Sequence, residues 1–137
     1  MRIGEGLIAV APKAATIEKF EEAGGGGKPR VAEPHVCYGD DEAKMRKVAH
    51  EWWPNIAIQG ELGQELPAPA HFEQAAEMVS KDDVAEVVAC GPDPEAHMQV
   101  INKYVDVGYE HLVVHQIGPD QEGFFNFYEE EILPTFS

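Results

Sequence analysis

Basic residues are scarce: 10 Lys and Arg stand against 25 Asp and Glu in 137 residues, a formal net charge of -15. Nucleic acid and anionic membranes attract proteins through clustered Lys and Arg that release counterions, so neither is an expected partner. Such an excess of carboxylates keeps a chain soluble by self-repulsion, a lever that halophiles use. Cysteine is nearly missing, with only Cys37 and Cys90, too few for a disulfide framework. The sequence contains no run of 18 or more apolar residues, which excludes a membrane-spanning helix. The opening residues Met1-Arg2-Ile3-Gly4-Glu5 lack the pattern of a secretion signal, and a cytoplasmic location is expected.

What is present reads as one α/β unit over residues 1–137, 44% hydrophobic and 26% charged. The apolar run Gly6 to Val10 suits a buried strand. Thr16 caps an expected helix to about Ala23, which the glycines Gly24 to Gly27 end. Arg30 to Tyr38 is the second strand, with Pro34 inside it favouring an edge or bulge. Asp40 caps the next expected helix, whose stripe is Met45, Val48, Ala49 and Trp52, and Pro54 follows its end. Residues 55–70 show no period and read as a long connection. Helices follow over 70–79 and 82–88. Asp93-Pro94-Glu95 starts a helix that runs to Val107 with Val100, Ile101, Tyr104 and Val105 inward. His111 to Ile117 is the third strand, and Gln121 to Pro134 the last helix. Strands separated by helices imply parallel pairing with right-handed crossovers. So small a parallel sheet leaves an edge open unless something outside the chain covers it.

Most motifs reduce to ordinary structure. The run Gly24-Gly25-Gly26-Gly27-Lys28-Pro29 lacks the Ser or Thr and the preceding strand that a phosphate loop needs. His111 and His115 lie about 13 Å apart if both sit on one strand, too far to share a metal. His35 and Cys37, about 6.6 Å apart on one strand face, have no second pair of ligands with them. No metal site is expected. Cys90 has no electropositive setting, and no nucleophile elbow is present, so no catalytic residue is named. The aromatic groups Trp52-Trp53 and Phe124 to Tyr128 read as core packing. Neighbours cannot both face inward, however, so Trp53 or Phe124 is expected outside.

Position says more than spacing. Parallel α/β folds bind ligands beyond the carboxyl ends of their strands. That rule selects Ala11, Pro12 and Lys13 after the first strand, and Tyr38, Gly39 and Asp40 after the second. After the third it selects His115, Gln116, Gly118 and Asp120. Lys13, His115 and Gln116 are the expected groups for contact with cofactor or substrate.

The stretches RIGEGLI, HEWWPNIAIQGELGQELPAPAHFEQAAEMV, CGPDPEAH and HLVVHQIGPDQEGFFNFYEEEILP resemble a known family. They look like the C-terminal part of coenzyme F420-dependent oxidoreductases of the luciferase-like superfamily, in the branch related to F420-dependent glucose-6-phosphate dehydrogenase. The resemblance implies a partial (β/α)8 TIM barrel: its last three βα units, three parallel strands with surrounding helices. It implies hydride transfer between F420, or the flavin FMN, and a small organic substrate. It also implies that most of the cofactor site lies in segments this chain lacks. Lys13 matches a lysine near the substrate phosphate of the sugar-phosphate enzymes. The acids around Asp83 to Glu86 and the loop Gln121-Glu122-Gly123 depart from that phosphate site, which argues against a phosphorylated sugar.

Two partners follow from an incomplete barrel: a separate N-terminal half-barrel chain, or self-association as a dimer or higher oligomer. The alternative to a fragment of an oxidoreductase is a non-catalytic truncated barrel that self-associates. A small ligand-binding α/β domain unrelated to redox chemistry is a third reading.

Overall fold

The structure, a computed structural model, describes residues 4–58 and 62–136. Residues 59–61, inside the long connection expected over 55–70, lie outside the described residues. The chain packs as two compact units. One joins the residues up to Pro34 with Met98–His115, and the other joins His35–His97 with the residues from Gln116 on.

In the first unit, β1 (Leu7–Ala9), β2 (Arg30–Ala32) and β5 (His111–Leu112) form a sheet in the order β1-β2-β5, with parallel pairing at both junctions. Helix α1 (Ala14–Phe20) follows β1. Lys13, not Thr16, occupies its N-cap, and its side chain caps nothing. The helix runs into a wider turn over Glu21–Gly25, where Gly24 takes φ 87°, a left-handed value that favours glycine. The expected glycine stop is therefore present. Arg30 is held between Glu21 and Glu110 at 3.0 Å each.

The expected second strand is interrupted at Glu33-Pro34, and β3 (His35–Cys37) resumes in the second unit. The expected third strand is also interrupted, between β5 and β6 (His115–Gln116). A β-bulge lies at the start of β5, where Glu110 and Val113 donate to Arg30 and Ala32, three steps on one strand against two on the other. Past it the spacing is even, with Val113 and His115 donating to Ala32 and Pro34.

In the second unit the sheet order is β4-β3-β6, where β4 is Ala89–Cys90 and pairs parallel with β3. The α/β class with parallel strands and surrounding helices is as expected. The strand β4 is an addition to the three strands read from the sequence. Helix α2 (Glu42–Trp52) is capped by Asp41, whose carboxylate accepts from the Lys44 amide, and not by Asp40. The segment expected to be irregular holds a short 3-10 turn that starts at Pro54 (Pro54–Ala57) and the helix α3 (Leu62–Glu65), and α4 (Pro69–Ala76) begins at its end. Helix α5 (Lys81–Val87) begins with a capping box between Ser80 and Asp83.

Helix α6 (Pro94–Val107) starts where expected, and Gly108 with φ 104° ends it. Val100, Ile101 and Tyr104 are buried as expected, whereas Val105 is exposed. Helix α7 (Gln121–Phe127) continues through a π turn to Ile132.

The core of the second unit gathers Cys37, Met45, Ala49, Val84, Val88, Cys90 and Ile117. Burial pushes the Cys37 thiol up to about 11 and the Cys90 thiol up to about 12, so both are inert packing groups. The chain leaves α2 at Trp53 (φ -139°, ψ 42°), and this turn sets Trp53 against the core while Trp52 stays exposed. Phe124 is buried and Phe125 exposed, the reverse of the expected outward Phe124.

Gly91 has φ 94°, and a Cβ there would lie 2.9 Å from the Glu42 Cα. Both the backbone angle and the backbone contact exclude a side chain. Gly91→Ala is expected to lower stability by about 1–3 kcal/mol, read as a lower urea midpoint with an unchanged denaturant slope.

Candidate functional site

The second unit presents one motif at three strand ends. After β3 the chain reads Tyr38-Gly39-Asp40-Asp41, after β4 Gly91-Pro92-Asp93, and after β6 Gly118-Pro119-Asp120. An aspartate from each starts a helix: Asp41 accepts from the Lys44 amide, Asp93 from Glu95 and Asp120 from Gly123. Three glycine-to-aspartate turns thus convert parallel strands into helices, which places their side chains at the ligand-binding end of such folds.

Gln116 ties two of these ends together. Its Oε1 accepts from the Tyr38 amide at 2.8 Å, and its Nε2 donates to the Tyr38 carbonyl at 3.2 Å. The buried side-chain amide therefore continues the ladder as a strand would. A Cβ on Gly118 would meet both Gln116 Nε2 and the Tyr38 carbonyl at 3.0 Å, so glycine leaves room for this clamp.

The Tyr38 ring stacks on Phe127, with centroids 4.7 Å apart. Its hydroxyl is pushed above the usual phenol range by burial, then by Asp40, Asp120 and Glu130. It stays a neutral hydrogen-bond donor surrounded by carboxylates.

His97 lies beneath, fully buried. Its Nε2 is 2.9 Å from the Gly91 carbonyl, which can only accept, so Nε2 carries the proton. Its Nδ1 then accepts from the Tyr128 hydroxyl at 3.0 Å. Burial lowers the His97 pKa from 6.5, against smaller opposing effects of the Gly91 carbonyl and Asp93. The neutral ring links the β4 turn to the last helical segment.

The first unit holds the other two expected residues. Lys13 is exposed at the start of α1. The loop before it is held by two hydroxyls, Tyr104 donating to the Val10 carbonyl at 3.1 Å and Tyr109 to the Ala11 carbonyl at 3.4 Å. His115 Nδ1 is 3.2 Å from Glu33 Oε1, both side chains partly exposed. Gln116 is spoken for by Tyr38, which makes it a positioning group within the second unit.

The sequence reading reached Tyr38 by position but missed His97. Its signal was available: His97 shares the helical stripe of Val100, Ile101 and Tyr104.

No protein-family model matches the chain. It is similar to F420-dependent glucose-6-phosphate dehydrogenases of curated sequence. The protein of Microbacterium testaceum is 35% identical over 104 residues, 76% of this chain and 31% of its own length. That of Nakamurella multipartita is 31% identical, matched over 97% of this chain and 42% of its own length. The fold is similar to an F420-dependent secondary alcohol dehydrogenase solved with an F420–acetone adduct, at TM-score 0.74 and 22% identity, over 95% of this chain and 42% of that one. It is also similar to the F420-dependent tetrahydromethanopterin reductase of Methanopyrus kandleri, at TM-score 0.68 and 19% identity, over 98% of this chain and 46% of that one. The chain thus spans about a third to two fifths of the curated relatives it matches.

Two outcomes test the site. Gln116→Leu leaves the buried Tyr38 amide unpaired and is expected to cost about 1–3 kcal/mol in urea unfolding. For His97, the folded state binds its proton less readily than the unfolded state. Stability from this residue is therefore full above pH 6.5 and lost as pH falls below it. Between pH 7.5 and 5.5 the urea midpoint is expected to fall, and His97→Gln should flatten that slope.

Proposed function

As a homologue of the F420-dependent oxidoreductases that matches part of their length, the chain is, we propose, part of an enzyme that moves hydride between F420 and a small organic substrate. The observation that carries this reading is the sequence similarity, which extends through the three strand-end turns of the second unit. F420 is preferred to FMN because the named relatives and both fold neighbours are F420 enzymes.

The cofactor supplies the hydride chemistry, and the protein orients it. The donors around Tyr38 fit an uncharged partner: a neutral phenol and an aromatic face. Asp40, Asp120 and Glu130 act on that phenol as negative charges and repel a phosphate. The strand ends of the second unit thus fit an uncharged substrate or the edge of a heteroaromatic ring, and the cofactor's phosphate is left to residues elsewhere. Tyr38 donates a hydrogen bond, Gln116 fixes the Tyr38 backbone, and His97 fixes the Gly91 turn. In the first unit, Lys13 offers a cation and His115 a ring nitrogen to cofactor or substrate.

This activity needs the rest of a barrel. A cytoplasmic location suits two buried free thiols, and no helix among the described residues is long and apolar enough to cross a membrane. The second reading, a non-catalytic arc that self-associates, is favoured by the exposed apolar residues Ile8 in β1, Val10 just after it and Val113 just after β5.

Titration of F420 fluorescence separates these readings. The chain alone is expected to show no saturable binding. The same chain fused to the unmatched part of the Microbacterium relative should bind F420 and reduce it with a secondary alcohol. Absence of both binding and reduction in the folded fusion would remove the oxidoreductase reading.

A further inference from the structure

The core of the second unit gathers sulfur from three elements. Cys37 ends β3, Cys90 ends β4, and Met45 lies on α2. The β3–β4 ladder sets Cys37 and Cys90 in register, side by side on one face. Cys37 Sγ is 3.9 Å from Met45 Sδ, and Cys37 acts electrostatically on Cys90. None of the three is more than 7% exposed. Gly39 makes room for the thioether, since a Cβ there would lie 2.5 Å from Met45 Sδ.

We propose that Cys37, Cys90 and Met45 form a site for one soft monovalent metal ion, Cu(I). Thiolate and thioether sulfurs are soft ligands that favour Cu(I), zinc or iron–sulfur clusters. Structural zinc takes four ligands and an iron–sulfur cluster four cysteines. No His, Asp or Glu among the described residues completes a group with these two thiols, and Cu(I) binds with fewer ligands. Two sulfurs about 2.3 Å from one ion stand about 4 Å apart, a separation that Cys37 and Met45 already have. Spacing along β3 offers Cys37 no second pair of ligands, because its companions come from β4 and α2.

A disulfide is the competing fate of two adjacent thiols. Parallel strands hold residues in register about 4.8 Å apart with aligned side chains, beyond the Cβ separation of about 3.8 Å that a disulfide prefers. The pair is spaced for two bonds to one ion rather than one bond to each other. Burial keeps both thiols protonated and slow toward electrophiles. The ion displaces those protons: two thiols and Cu(I) give a bis-thiolate complex and two protons. One net negative charge remains, which Arg46 favours and Glu42 opposes through their action on Cys90. Cys37 and Cys90 immediately precede Tyr38 and Gly91, so the ion ties together the bases of two strand-end turns.

The test is anaerobic titration of the full chain with Cu(I), supplied as its acetonitrile complex in competition with a coloured Cu(I) chelator. One ion per chain is expected, with two protons released and a thiolate-to-copper band in the ultraviolet. X-ray absorption at the copper edge should show three sulfur neighbours and no nitrogen. Met45→Leu nearly conserves core volume and is expected to weaken binding about tenfold or more, with one sulfur lost from the copper shell. Cys90→Ser should abolish binding, and Met78→Leu, at an exposed methionine, should leave it unchanged. Circular dichroism reports whether each variant folds; where Cys90→Ser does not, the copper spectrum of the unaltered chain decides. Failure to take the ion from the chelator, nitrogen or oxygen in the copper shell, or indifference to Met45→Leu overturns the proposal.

Discussion

A parallel β-ladder has to be covered on both faces and closed or protected at its edges, and that constraint organises this chain. The second unit meets it at β3, where His35, Val36 and Cys37 are all buried, with Met45 and Ala49 of α2 and Val84 of α5 packed against Cys37, Cys90 and Ile117 in a single cluster. The sheet of the first unit meets it on one face only. Ala32 is sealed, and Ile8 opposite is open. The two sheets of one short chain thus differ in how far they are covered, and the chain spans about a third to two fifths of the curated relatives it matches.

The strand ends show how local chemistry positions a site. At each, glycine allows the turn and aspartate begins a helix, so the carboxylates are committed to backbone amides. Between them stands the neutral Tyr38 phenol, its backbone held by Gln116 and its ring stacked on Phe127, with Asp40, Asp120 and Glu130 acting on it as negative charges. His97 stabilises the arrangement only as an uncharged ring, because one nitrogen must donate to Gly91 and the other must accept from Tyr128. The site is therefore polar and poor in positive charge.

Much of this was legible in the residues. The Pro34 interruption and the Asp93-Pro94 helix start survive in the structure, and the run Gly6 to Val10 does form a strand, although Ile8 and Val10 are exposed where a buried strand was expected. Strand β4 was hidden because Val84 and Val88 stand four apart and extend the α5 stripe to the strand's edge, and both are buried in the same core. Trp53 was expected outside but turns inward because the chain leaves α2 there, an exit that periodicity does not encode, and consecutive aromatics gave no way to choose between Phe124 and Phe125 as the inward ring. Position at a strand end singled out Gln116, but its clamp on Tyr38 joins residues 78 apart and exists only once the strands pair.

Hydrogen exchange probes the central claim, that the sheet of the second unit is covered around β3 while that of the first is covered on one face. The amides of Leu7 to Ala9 should exchange orders of magnitude faster than those of Val36 and Cys37. Equal protection of the two sheets in the isolated monomer, within a factor of about ten, would contradict the account.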